Sequence, residues 1–262
     1  MSDPFKALHA GPDVLVLPNA WDAGSARVIE VAGAKAIATS SAAVAWAHGY
    51  PDGQALPFEV LLSDLRAIRR VTSVPLTADI EAAWATDAAG AADNVLRVLD
   101  AGAEGINIED GTEPPDVLAA KIEAIKKRAG ERVWINARTD IYLKKLAEGE
   151  AAFEETVRRA KRYRDAGADS IFTPFVADEA LLRCLVAAIA APINVLVCPG
   201  LPPLARLKEI GIRRLSAGGG VGKIAYDFAY RAVQAFLADG RSEPFVQPLA
   251  IPQGLNAIMK RS

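Results

Sequence analysis

Short apolar runs alternate along the chain with longer stretches in which apolar residues return at helical spacing. The short runs are VLVLPN (14–19), AKAIATSS (34–41), VPLTADI (74–80), GINIED (105–110), VWINART (133–139), SIFTPF (170–175), INVLVC (193–198) and RRLSAG (213–218). They are apolar on both alternating faces, as strands covered from both sides are. Between them, PFEVLLSDLRAIRRV, PPDVLAAKIEAIKKRAG and AAFEETVRRAKRYRDAGA carry the helical period. VAGAKAI, DAGAEGI, DAGADSI and EIGIRRL set a glycine where a helix stops and a strand starts, which suits the left-handed position that ends a helix. Eight such units predict an α/β protein with a parallel sheet, and favour a closed (β/α)8 TIM-type barrel over an open doubly wound sheet. With no linker or break in composition, residues 1–240 read as one barrel domain. The tail, 241–262, holds apolar residues and prolines that fit packing on the barrel or on a neighbouring subunit.

Composition narrows the function only by exclusion. A chain of 262 residues, 51% of them hydrophobic, has the length and apolar content of such a barrel, which usually takes about 250. A net charge of −2 gives no reason to expect nucleic acid or an anionic membrane as partner. Cys184 and Cys198 form no CxxC or Cys/His pattern, which excludes a disulfide framework and argues against structural zinc. No basic-then-apolar leader is present, and no uncharged apolar run reaches the roughly 18 residues of a membrane span. The expectation is a soluble, cytoplasmic protein with a small-molecule partner.

Barrel enzymes carry their reacting groups where strands end and βα loops begin. Those positions hold Ser40 and Ser41, then Asp79 and Glu81, then Glu109 and Asp110, then Arg138 and Asp140. Extended alternation aims Asp79 and Glu81 to one face, and lets only one of Glu109 and Asp110 point inward. Asp79, Glu81 and Glu109 on neighbouring strands repel one another unless a cation lies among them. An all-oxygen set with retained waters suits Mg²⁺, and Arg138 beside it can grip a substrate carboxylate bidentately. The competing reading is an ion-pair network among strand ends.

Weaker features surround that cluster. SAGGGVGK (216–223) puts a glycine-rich loop, 216–220, at a common phosphate position of barrels, but Ala217 and Ile224 break the Walker A pattern. His48, in AWAHGYPDG, follows the second predicted strand toward the same mouth as an acid, a base or a plain loop residue. His9 reads as incidental, Cys184 as core, and Cys198 as a small packing residue. Trp21, Trp46 and Trp84 follow strand ends and can wall a small pocket.

PNAWDAGSARVIEVAGAKAIATSSAAVAWAHGYPDG, PLTADIEAAW, GAEGINIEDG and WINARTD, in this order, resemble the isocitrate lyase/phosphoenolpyruvate mutase superfamily from about residue 14 to 240. The resemblance implies a (β/α)8 barrel, commonly with its eighth helix exchanged between paired subunits, in a homodimer or homotetramer. It implies Mg²⁺-dependent cleavage of C–C or P–C bonds in small α-keto or α-hydroxy acids through an enolate. It gives Asp79 direct contact with Mg²⁺ and lets Glu81 and Glu109 hold metal-bound waters, with Asp52 of GYPDG a further acid near the metal. It makes Ser40 and Ser41 the turn whose N–H groups bind the substrate carboxylate, and Arg138 a substrate-binding arginine.

The departures are as informative. The lyases carry Lys-Cys-Gly-His on the loop after the fourth strand, and the mutases and phosphonopyruvate hydrolases carry a lysine and an asparagine there. Here that loop is GTEPPD, without lysine, cysteine, histidine or asparagine. The sixth strand ends in FTPFVAD, without the lyases' glutamate or the mutases' histidine. The expectation is therefore a divergent Mg²⁺-dependent lyase, decarboxylase or hydrolase acting on an oxaloacetate-like acid. Its alternatives are a non-catalytic α-keto-acid binder and a phosphate-binding barrel enzyme that uses 216–220.

Overall fold

The computed structural model describes residues 4–260. Its strands are β1 (Leu15–Leu17), β2 (Asn19–Ala20), β3 (Ile37–Thr39), β4 (Leu76–Asp79), β5 (Gly105–Glu109), β6 (Trp134–Arg138), β7 (Ser170–Phe172), β8 (Ile193–Leu196) and β9 (Arg214–Ser216). All pairings are parallel, in the order β1-β9-β8-β7-β6-β5-β4-β3-β2. The first predicted strand is two strands, β1 on β9 and β2 on β3, parted at Pro18. Proline has no N–H for the ladder, so the pairing changes partner there. That continuity from β1 to β2 closes the sheet, and the fold is the expected (β/α)8 TIM-type barrel.

The helices are α1 (Pro4–Ala10), α2 (Ala23–Val31), α3 (Ser41–Ala47), α4 (Phe58–Val71), α5 (Ala88–Asp100), α6 (Pro115–Ala129), α7 (Gly149–Asp165), α8 (Glu179–Ala188), α9 (Leu204–Ile210), α10 (Gly220–Asp239), α11 (Glu243–Val246) and α12 (Leu255–Ile258). The period seen in the sequence is the packing face: α4 buries Leu61, Leu62, Leu65 and Ile68 against the sheet. Below the barrel, α1 inserts Phe5 and His9, and the His9 ring stacks on Trp134 with centroids 4.2 Å apart. His9, read as incidental, is thus part of the plug. A Cβ at Gly105 would lie 2.6 Å from the Phe5 ring, so β5 needs glycine there.

The barrel interior is polar at mid-height. Asn136 Nδ2 donates to Asn107 Oδ1 (2.8 Å) and Asn194 Oδ1 (2.9 Å), and Ser170 and Ser216 donate to the same layer. Arg214, fully buried, donates from Nη2 to Asn107 Oδ1 at 3.0 Å, while its Nη1 has no partner.

The last barrel helix behaves differently from the others. The first turn of α10 packs on Ala43 and Trp21, but beyond it Ile224, Phe228, Tyr230, Phe236 and Leu237 lie exposed. Where a helix would cover β1, between α2 and α9, a cavity of about 770 Å³ opens instead, lined by Val14, Val16, Ile29, Leu204 and Ala205. The tail returns to the barrel: Phe245 packs edge-on against Phe236, and Arg27 Nε donates to Ile258 O at 2.7 Å. No helix among the described residues is long and apolar enough to cross a membrane.

Candidate functional site

Asp79 is the last residue of β4, at the open end of the barrel. Its N–H donates to Thr39 Oγ1 (2.8 Å) and its Oδ2 accepts from the Ser41 N–H (3.3 Å). Oδ1 is buried and has no hydrogen-bond partner. A carboxylate oxygen left so is costly unless a cation or water completes it.

The strand ends at Asp79, so extended alternation does not explain where Glu81 goes. Glu81, Ala83 and Trp84 adopt left-handed backbone, with φ of 47°, 70° and 47°. Each non-glycine residue there costs about 1 kcal/mol or more, so the turn must be held from outside. The Lys121 ammonium, from α6, donates to Ala82 O (2.9 Å) and Ala85 O (2.7 Å). Asn94 Nδ2 donates to Ala83 O (2.9 Å), and the Trp84 N–H donates to Gln54 Oε1 (2.8 Å). The turn folds Glu81 back beside Asp79, where its Oε1 accepts from the Gln54 N–H at 3.0 Å.

Glu109 ends β5 directly opposite Arg138 on β6. Arg138 Nη1 is 2.6 Å from Glu109 Oε2, and Nε and Nη2 bind both oxygens of Asp140 at 2.6 and 3.0 Å. Asp110 points the other way, as alternation requires. It accepts from Tyr163 Oη (2.6 Å), Arg159 Nη1 (2.9 Å) and the Asp140 N–H (2.9 Å), which anchors Asp140 under Arg138.

These surroundings make the carboxyls reluctant to ionise. Burial, then Asp79 and Asp52, push Glu81 up to about 7. Burial, with Asp79, Asp140 and Glu81 and against the adjacent Arg138, pushes Glu109 up to about 8. Burial also raises Asp79, opposed by Arg138 and by the Ser41 N–H. Among the described residues no three carboxylates, histidines or cysteines stand ready-spaced around one metal. An unfilled Asp79 oxygen beside two reluctant glutamates fits an ion held directly by one carboxylate and by the others through water, as Mg²⁺ commonly is. Beside Glu81 and Glu109 lies a cavity of about 280 Å³, bounded also by Gln54, Glu113 and Lys144.

The other expected site residues are placed differently. Asp52 is exposed and acts on Asp79 and Glu81 through its charge. Ser40 caps α3, its Oγ 3.4 Å from the Ala43 N–H, and its own N–H bonds Ala20 O. With the Ser41 N–H on Asp79, neither serine amide is open to a substrate in this geometry. Trp21 sits under α10 beside Tyr226 rather than in the carboxylate cavity. His48 turns to α4, its Nε2 2.7 Å from Asp64 Oδ2, as a plain loop residue would. Cys184, expected in the core, is exposed on α8. The glycine-rich loop is already engaged: the Ala217 and Gly218 N–H groups donate to Asn19 Oδ1 at 3.0 and 2.8 Å. Sequence reasoning missed Lys121, Gln54, Lys144 and Arg214, none of which lies at a strand end facing the mouth in any readable pattern.

The sequence model described as phosphoenolpyruvate phosphomutase matches residues 5–237. The chain is 37% identical over 253 residues to an uncharacterized protein of Mycobacterium tuberculosis, covering 94% of this chain and 93% of that one. It is 29% identical to a probable 2-methylisocitrate lyase of Corynebacterium glutamicum, covering 87% of this chain and 72% of that one. A phosphonopyruvate hydrolase solved with oxalate and Mg²⁺ shares the fold, with a TM-score of 0.83 and 22% identity over 97% of this chain and 93% of that one.

Proposed function

The chain belongs to the phosphoenolpyruvate phosphomutase family, and on that premise we propose that it is a Mg²⁺-dependent enzyme cleaving a C–C bond of a small α-keto or α-hydroxy dicarboxylate. The family's relatives include lyases, mutases and hydrolases of small acids. One observation carries the reading: the buried, unpartnered Oδ1 of Asp79, set between Glu81 and Glu109 at the mouth of the barrel. Asp79 would hold the ion, and Glu81 and Glu109 its waters. Mg²⁺, when bound, supplies Lewis-acid stabilisation of the negative charge that develops on the substrate's oxygens.

The protein's own groups do the rest. Ser41 fixes the Asp79 carboxylate from one side, and the held turn 81–84 keeps Glu81 within reach. Arg138, clamped by Asp140, presents a fixed positive charge to a substrate carboxylate beside Glu109. Decarboxylation of a β-carboxylated α-keto acid asks least of the site. The C–C bond breaks, its electron pair passes into the enolate, and no proton need first leave carbon.

The test is turnover of oxaloacetate, phosphonopyruvate and 2-methylisocitrate with and without Mg²⁺, in the parent and in Asp79→Ala. Mg²⁺-dependent turnover lost in the variant supports the reading, and equal rates in both refute the role of Asp79. Mg²⁺-dependent binding without turnover of any of the three would favour a binding protein instead.

The partner that fits the chain is a second copy of itself. An apolar α10 standing off its barrel, and an apolar cavity where such a helix belongs, complement each other between subunits. Exchange of α10 would cover both.

A further inference from the structure

The positive groups around the carboxylate cavity are not equivalent. Lys121 is committed to two turn carbonyls, and Arg138 to Asp140 and Glu109. Lys144, from the segment 141–147 between β6 and α7, also lines the cavity. Its Nζ stands 3.9 Å from Asp140 Oδ2, too far for a hydrogen bond, and among the described residues the ammonium has no closer partner. All three of its N–H donors are therefore uncommitted. The ammonium overhangs the short loop after β5: a Cβ on Gly111 would lie 3.4 Å from Nζ, and Gly111 has a φ of 56°. Any side chain at 111 would be strained there and would crowd the ammonium.

We propose that Lys144 is a specificity residue, which binds the second anionic group of the substrate in the cavity that it lines together with Glu81 and Glu109. The inference rests on the metal-site reading above and adds the requirement for a dianion. On that reading one end of the acid is held at the metal, beside Glu81 and Glu109. The cavity, at about 280 Å³, is small enough that the other end comes within reach of the rim that holds Lys144. A cation with free donors at that rim rewards a carboxylate or a phosphonate and gives nothing to a neutral or hydrogen-terminated arm.

The test is calorimetric titration, with Mg²⁺ present, of three probes: oxalate, which has no second arm, malate, with a carboxylate arm, and phosphonopyruvate, with a phosphonate arm. The parent, Lys144→Met and Lys144→Arg are compared. Expected is loss of affinity of about tenfold or more for malate, for phosphonopyruvate or for both in Lys144→Met, the size of a lost charge-assisted hydrogen bond. Oxalate affinity stays within about twofold, and Lys144→Arg recovers most of the loss. Which arm suffers identifies the preferred anion. Unchanged binding of both arms in Lys144→Met overturns the assignment. An equal loss for oxalate also overturns it, because the charge would then act on the whole site. Failure of the parent to bind oxalate with Mg²⁺ would instead bring down the metal-site reading, and this inference with it.

Discussion

Replacing Glu81 by glutamine isolates the repulsion that the carboxylate cluster stores when no metal is bound. The amide keeps the shape, the left-handed backbone and an oxygen to accept from Gln54, but removes the titrating charge. In the parent the folded protein holds the Glu81 proton up to about 7, against 4.5 for the ordinary carboxyl. An acid whose folded value is raised contributes stability that is full below 4.5 and is lost as pH climbs through 7. At roughly 1.4 kcal/mol per pH unit, that loss is about 3 kcal/mol. Glu81→Gln avoids it. The metal-free variant should match the parent near pH 4.5 and exceed it by up to about 3 kcal/mol at pH 8 to 9. Urea unfolding followed by circular dichroism, in chelator and at fixed protein concentration, reads the difference directly. A gain of the same size at pH 4.5 would mean that glutamine simply packs better. No gain at pH 9 would mean that Glu81 carries no stored repulsion, and the electrostatic case for a cation beside it would fall.

Other substitutions separate the parts of the site. Asp79→Asn keeps an acceptor for Ser41 but should abolish the rise in Tm that Mg²⁺ is expected to give the parent in thermal scans, and lower turnover by about a hundredfold or more. Lys121→Met frees the carbonyls of Ala82 and Ala85, so urea unfolding should show a loss of about 3 kcal/mol, and calorimetry weaker Mg²⁺ binding as Glu81 is released. Leu237→Asp and Phe228→Asp alter exposed positions of α10. Each should sediment as a smaller species than the parent with unchanged circular dichroism, and an unaltered sedimentation coefficient would exclude that face as the contact between copies.

Much of the barrel could be read from local pattern because burial on both faces leaves a local mark. The eight apolar runs are the strands, and the glycines at 33, 102, 167 and 211 do adopt positive φ where helices end. The break at Pro18 was written in the sequence as a proline inside a strand. Glu81 is instructive in another way. Its nearness to Asp79 was expected from alternation, yet the strand had already ended, and a left-handed turn brings the two together. Nothing in Glu-Ala-Ala-Trp announces that turn, because its partners Gln54, Asn94 and Lys121 are remote in sequence. Arg138 was legible as an inward arginine, but the assignment of its donors to Asp140 and Glu109 depends on β5–β6 register. His48 and Cys184 show the same limit: proximity to a strand end or a helical period does not say which neighbour a side chain will choose. The exposure of α10 was not legible either, since an amphipathic helix reads alike whether its cover is its own barrel or another's.

The charges gathered at the mouth make a final constraint on what the site can hold. Asp79, Glu81, Glu109 and Asp140 are carboxyls that act on one another, and Arg138 and the buried Arg214 are the guanidiniums that answer them. Asp110 stands apart, matched by Arg159 and Tyr163 behind the wall. With all four carboxyls ionised, negative charge exceeds what the two guanidiniums supply in a region largely removed from water. Without an ion, burial and mutual repulsion favour protons held on these carboxyls, and Asp79, Glu81 and Glu109 are all raised from their ordinary values. A bound cation would offset that excess and let both glutamates ionise. A second anionic group on the substrate would then call for a cation other than Arg138. Lys144, which lines the same cavity as Glu81 and Glu109 and has no hydrogen-bond partner among the described residues, is the group proposed for that role.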